Sequence, residues 1–116
     1  MHDPFLELRD ALREFSAERD WDQFHSPRNL ATALAVEAAE LLEPFQWLDD
    51  AQARELEPAT RGAVEEEMAD VLLYLIRLAD KLGVDLERAA RAKLLRNAEK
   101  YPVDRAKGSS RKYDQL

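Results

Sequence analysis

Cysteine is missing from the 116-residue chain, so neither a disulfide nor a thiolate metal site is open to it. Glycine is scarce, at three residues, and runs of β-branched side chains are few. No uncharged apolar stretch is long enough to span a bilayer. The opening MHDPFLELRD lacks the basic start and apolar run of a signal peptide, so a soluble, cytoplasmic protein without a membrane partner is expected. An excess of positive charge is lacking too: 17 basic residues face 24 acidic ones, a formal net of −7. A generic nucleic-acid binder carries a basic face, so that class is set aside. An acidic protein that handles a polyanion needs metal ions or a local basic cluster.

What is present is helix-forming. Ala, Leu, Glu and Arg dominate, and 46% of residues are apolar, enough for a core. The length fits one compact domain. The expected fold is all-α, a bundle of four to five helices over residues 1–102 with a basic tail over 103–116. So small a domain has limited room to bury long helices alone, which makes an oligomer plausible.

Asp3-Pro4 reads as a cap followed by a first-turn proline, with Phe5, Leu8, Leu12 and Phe15 on one face of a helix ending near Arg19 or Asp20. Trp21 to His25 reads as a loop. Ser26-Pro27 starts a second helix that runs towards Trp47. Its middle, LATALAVEAAELL, is apolar on nearly every face and should be largely buried. Pro44 removes a backbone bond to Glu40, so a kink or break is expected there. Asp49 to Glu57 is a polar connection. Pro58 opens a third helix that stops at Gly83, and Asp85 caps a fourth that ends at Tyr101-Pro102. The segment after Pro102 reads as irregular and mobile.

Two pairs of acids do not belong where they fall. Glu37 and Glu40 interrupt the apolar second helix, three residues apart on one face. Glu67 and Asp70 repeat the spacing in EEEMADVLLYLI, with Tyr74 one turn further on. A buried, unpaired carboxylate costs several kcal/mol or more, so it is neutralised, paired or bound to a metal. Helices packed at about 8–10 Å bring four such groups together. Hard oxygen ligands suit Mg²⁺, with Mn²⁺ as a substitute. The competing reading is ion pairing, with Arg77 or cations on other helices as partners. For two pairs at one spacing in two apolar helices, the metal reading is preferred. A ferritin-like di-iron site needs Glu-x-x-His, yet neither His2 nor His25 follows a glutamate by three positions.

Glu37-x-x-Glu40…Glu67-x-x-Asp70, together with RDWDQFHSPRNLA, ELLEPFQWL, KLLRNAEKYP and SSRKY, resembles the MazG-like, all-α nucleoside triphosphate pyrophosphohydrolases, in particular their dCTP pyrophosphatase branch. The resemblance covers nearly all of the chain from Arg19 onward. It implies attack of water on the α-phosphorus of a (deoxy)nucleoside triphosphate, giving the monophosphate and pyrophosphate. Glu37, Glu40, Glu67 and Asp70 would hold the Mg²⁺, and Glu37 or Glu40 would take the proton of the attacking water. Lys93, Asn97 and Lys100 form one stripe on the fourth helix and, by resemblance, face the triphosphate, with Arg111 and Lys112 closing over it. Trp21, Phe24, His25 and Trp47 would form the base pocket, where aromatic faces stack. Tyr74 would meet the sugar. The alternatives are ordinary core packing for the aromatic residues and a solvated stripe for the lysines.

The resemblance also implies a homotetramer, a dimer of dimers with pockets lined by more than one chain. Pro44 departs from the helix former expected at that place and bears on where the base pocket sits relative to the acids. Two other functions compete: a nucleotide-binding helical assembly without turnover, and a related pyrophosphohydrolase acting on dUTP or phosphoribosyl-ATP.

Overall fold

A computed structural model describes residues 2–116. Among them the ordered elements are six α-helices and three 3₁₀ turns, with no strand. The long helices are α1 (Pro4–Glu18), α2 (Pro27–Leu42), α4 (Pro58–Leu82) and α5 (Leu86–Lys100). Two short ones, α3 (Asp50–Arg54) and α6 (Val103–Ala106), fall where a polar connection and an irregular tail were expected. The chain forms two compact units, Met1–Val84 and Asp85–Leu116. No helix of the described residues is long and apolar enough to cross a membrane.

In the first unit the helix ends follow local chemistry. The Asp3 carboxylate accepts from the N–H groups of Phe5 and Leu6, and the Ser26 hydroxyl accepts from the Asn29 N–H. Helix α1 closes in a left-handed turn at Asp20 (φ 53°), where the Trp21 N–H donates back to the Ser16 carbonyl at 2.9 Å. Helix α4 ends the same way, with Gly83 at φ 66° and the Val84 N–H bonded to the Ala79 carbonyl. Helix α3 has a complete capping box, Asp49 with Gln52.

Helix α2 packs along α4, and α1 also packs on α4. Leu30, Val64, Ile76 and Ala79 are the buried apolar residues, joined by Ser16 and Arg77. The expected burial of the second helix is not met within one chain: Val36 is exposed, and Leu42 is 67% exposed. Helix α4 packs along α2, and Val36 and Leu42 stay exposed on α2.

The break at Pro44 is present. Proline offers no N–H to the Glu40 carbonyl, so the Glu43 N–H bonds it instead, α2 ends at Leu42, and a 3₁₀ turn follows over Glu43–Phe45.

The second unit holds α5, capped by the Asp85 carboxylate on the Arg88 N–H. After Pro102 the chain is more ordered than its composition suggests. Helix α6 leads to a 3₁₀ turn at Tyr113–Gln115, the Tyr113 ring meets Tyr101 edge-on at 6.2 Å, and the Lys100 ammonium sits 4.9 Å above Tyr113.

Candidate functional site

The carboxylates converge where α2 crosses α4. Oxygens of Glu37, Glu67 and Asp70 lie within 4.8 Å of one another. Glu37 and Glu67 are half-buried, and one oxygen of each is fully buried without a hydrogen-bond partner. Among the described residues none of Glu37, Glu40, Glu67 and Asp70 is ion-paired. Arg77 is spent elsewhere, on Asp22 and Asp80. The local ion-pair reading therefore has no pair to support it.

Glu67 beside Glu37 favours keeping a proton there and, with burial and the charges of Glu67 and Asp70, pushes the Glu37 carboxyl above its ordinary range; Glu40 works the other way. Glu40 is also raised, chiefly by Glu37 next to it, with burial and Glu43 adding. Crowded acids, orphaned acceptor oxygens and an all-oxygen donor set are what a hard divalent cation satisfies.

Two cavities flank this cluster. One, of about 210 Å³, is lined by Trp21, His25, Asp70 and Tyr74 together with Leu12, Phe15, Ser16, Leu73 and Arg77. The other, more open and about 490 Å³, runs over Glu40, Glu43, Pro44, Ala59, Thr60, Ala63 and Glu67. Asp70 borders the first and Glu67 the second, so the acids stand between an apolar, aromatic chamber and a polar groove. Trp21 meets Phe15 edge-on at 5.6 Å and His25 at 6.4 Å. The loop carrying them is tied to α2 by the Asn29 amide, which donates to the Phe24 carbonyl.

Thus Trp21, His25, Tyr74 and Asp70 are brought together. Trp47 is not among the residues lining this chamber: it follows the break at Pro44 and stands 86% exposed. Phe24 does not line it either and is exposed. Lys93, Asn97, Lys100, Arg111 and Lys112 belong to the second unit. There Asn97 is half-buried with its carbonyl accepting from Tyr101, Lys100 covers Tyr113, and Arg111 and Lys112 are exposed. Residue spacing missed Arg77, Asp22 and Asp80 as a group. Arg77 is 6% exposed; its guanidinium bonds Asp22, Asp80 and the His25 ring, while Arg13 of α1 grips Asp80 and Lys81 grips Asp22. One signal was present: a lone arginine inside VLLYLIRLA.

An all-α bundle with four acids on two helices beside an aromatic chamber defines a class, and comparison with known proteins gives it a name. The MazG-like family matches residues 32–116, and the chain belongs to that family. It is 48% identical to dCTP pyrophosphatase 1 of Rattus norvegicus over 98% of this chain and 69% of the rat protein, and 47% identical to the Homo sapiens protein over the same shares. The crystal structure of a pyrophosphatase from Archaeoglobus fulgidus superposes with a TM-score of 0.82 at 43% identity, over 88% of this chain and 95% of that one.

Proposed function

We propose that the chain is a Mg²⁺-dependent nucleoside triphosphate pyrophosphohydrolase that converts a deoxynucleoside triphosphate, with dCTP preferred, to the monophosphate and pyrophosphate. The carrying observation is the acid cluster itself: three carboxylates within 4.8 Å, two of them with an orphaned buried oxygen, set beside an aromatic chamber. Family membership and near-full-length identity to dCTP pyrophosphatase 1 supply the reaction and the base.

Glu37, Glu40, Glu67 and Asp70 would hold the cation. When bound, Mg²⁺ supplies positive charge against the phosphate oxygens and acidifies water, and Mn²⁺ can replace it. Water adds to the α-phosphorus, the bond from that phosphorus to the α–β bridging oxygen breaks, and pyrophosphate departs. Glu37 or Glu40 receives the water's proton. Trp21 and His25 take the base in the aromatic chamber, and Tyr74 lies against the sugar, disfavouring a 2′-hydroxyl. The family resemblance assigns Lys93, Asn97, Lys100, Arg111 and Lys112 to the triphosphate and Trp47 to a pocket completed by a second chain of a homotetramer. A cytoplasmic role in keeping the deoxynucleotide pool clean goes with this reading.

Glu40→Gln and Asp70→Asn test it. Each should lose turnover by more than ~100-fold with unchanged helicity, because loss of mere supporting partners already costs ~10–100-fold at metal sites. Full activity in both variants refutes the assignment. Turnover of dCTP, dUTP and phosphoribosyl-ATP side by side fixes the substrate branch.

A further inference from the structure

We infer that Arg77 is a positioning residue that locks His25 in the tautomer carrying its proton on Nε2, so that the aromatic chamber offers a hydrogen-bond donor and selects a substrate group with a lone pair. A guanidinium has five N–H donors and no acceptor. Its Nε donates to His25 Nδ1 at 3.1 Å, so Nδ1 must present a lone pair, and the ring proton of neutral His25 lies on Nε2. Among the described residues Nε2 has no protein partner, and His25 lines the chamber with Trp21, Asp70 and Tyr74.

Arg77 is not free to turn away. It is 6% exposed, and its other nitrogens are held by Asp22 of the loop and Asp80 of its own helix. Asp80 is itself gripped by Arg13 of α1, with Nε to Oδ2 at 2.8 Å. Three elements therefore fix one donor, and that donor fixes one ring. A second ring proton would point at the guanidinium. Burial and the charges of Arg77 and Lys81 accordingly push His25 below its ordinary value, with Asp22 opposing. His25 is then no proton acceptor in the reaction, since its outward nitrogen already carries a hydrogen. It reads a carbonyl oxygen or ring nitrogen on the seated base.

The selectivity half of this inference rests on the proposed function; the tautomer half does not, and one experiment separates them. Long-range ¹H–¹⁵N spectra of the ¹⁵N-histidine-labelled full chain, with His2→Gln to assign the second ring, should show His25 with a proton on Nε2 and a bare Nδ1. A proton on Nδ1 overturns the inference whatever the substrate. In Arg77→Lys, which keeps the charge facing Asp22 and Asp80, the spectrum should turn into a tautomer mixture. KM for dCTP should rise about tenfold, the size of one hydrogen bond, with kcat changed less. In a His25→Ala background, where there is no ring for Arg77 to orient, Arg77→Lys should leave KM unchanged. An equal tenfold rise in that background makes Arg77 merely structural and overturns the inference.

Discussion

Glu37 sits under two opposing demands. Folding places its carboxylate against Glu67 and Asp70 with one oxygen buried and unpartnered, and cation binding needs that same crowding. Glu37→Gln removes a charge and offers an N–H to the orphaned Glu67 oxygen. The cation-free variant should melt a few degrees higher than the parent, while its melting shift on adding Mg²⁺ shrinks or disappears. A lower melting point without cation contradicts this. The pH dependence has two parts of opposite sign. A carboxyl raised in the fold, as Glu37 and Glu40 are, keeps its proton to higher pH than in the unfolded chain, so its contribution is present at acid pH and is lost as pH rises through the folded value. Asp80, held low first by the Arg13 hydrogen bond, contributes above the ordinary carboxylate value of about 3.9, and that contribution is lost as pH falls through its lower folded value. Melting without divalent cation should therefore show Asp80→Asn costly near neutral pH and nearly neutral in strong acid. The benefit of Glu37→Gln should appear only towards neutral pH. The four acids were legible in the sequence because charge inside an apolar helix is an anomaly. Arg77 is the same anomaly, but its partner Asp22 lies 55 residues away in a loop, and no spacing rule joins them.

Among the elements, α1, α2, α4 and α5 were legible from their ends: Asp3-Pro4, Ser26-Pro27, Pro58 and Asp85 each announce a first turn, and Gly83 a last one. Helix α3 was not, although Asp49 and Gln52 carry the capping-box spacing, because five residues leave no apolar period to detect. The folded-back tail was missed for a similar reason, since Tyr113 over Tyr101 and beneath Lys100 is a contact between neighbouring short pieces and not a pattern within one. Gly83 gives the cleanest test at this scale. Its φ of 66° is left-handed, and a Cβ there would touch nothing within 4 Å. Gly83→Ala should cost roughly 1 kcal/mol, the conformational penalty alone, read from urea unfolding. A neutral result means α4 ends differently.

Each unit of the single chain leaves apolar side chains exposed. Among the described residues of the first unit Leu30, Val64, Ile76 and Ala79 are the buried apolar ones while Val36, Leu42 and Met68 face outward, and in the second unit Leu94 and Leu95 face outward. The apolar second helix is consistent with this, since one layer of helices leaves part of such a surface open. Light scattering should return a multiple of the 13.3 kDa chain mass, fourfold for a dimer of dimers, and a stable monomer at micromolar concentration contradicts the shared-pocket reading. Whether the acids perform the proposed chemistry is decided by one reaction, full-length chain with dCTP and Mg²⁺ in oxygen-18 water, followed by mass spectrometry. We expect dCMP carrying the heavy oxygen and unlabelled pyrophosphate. Label in pyrophosphate, release of inorganic phosphate, or no product from any deoxynucleoside triphosphate in Mg²⁺ or Mn²⁺ contradicts attack at the α-phosphorus by this site.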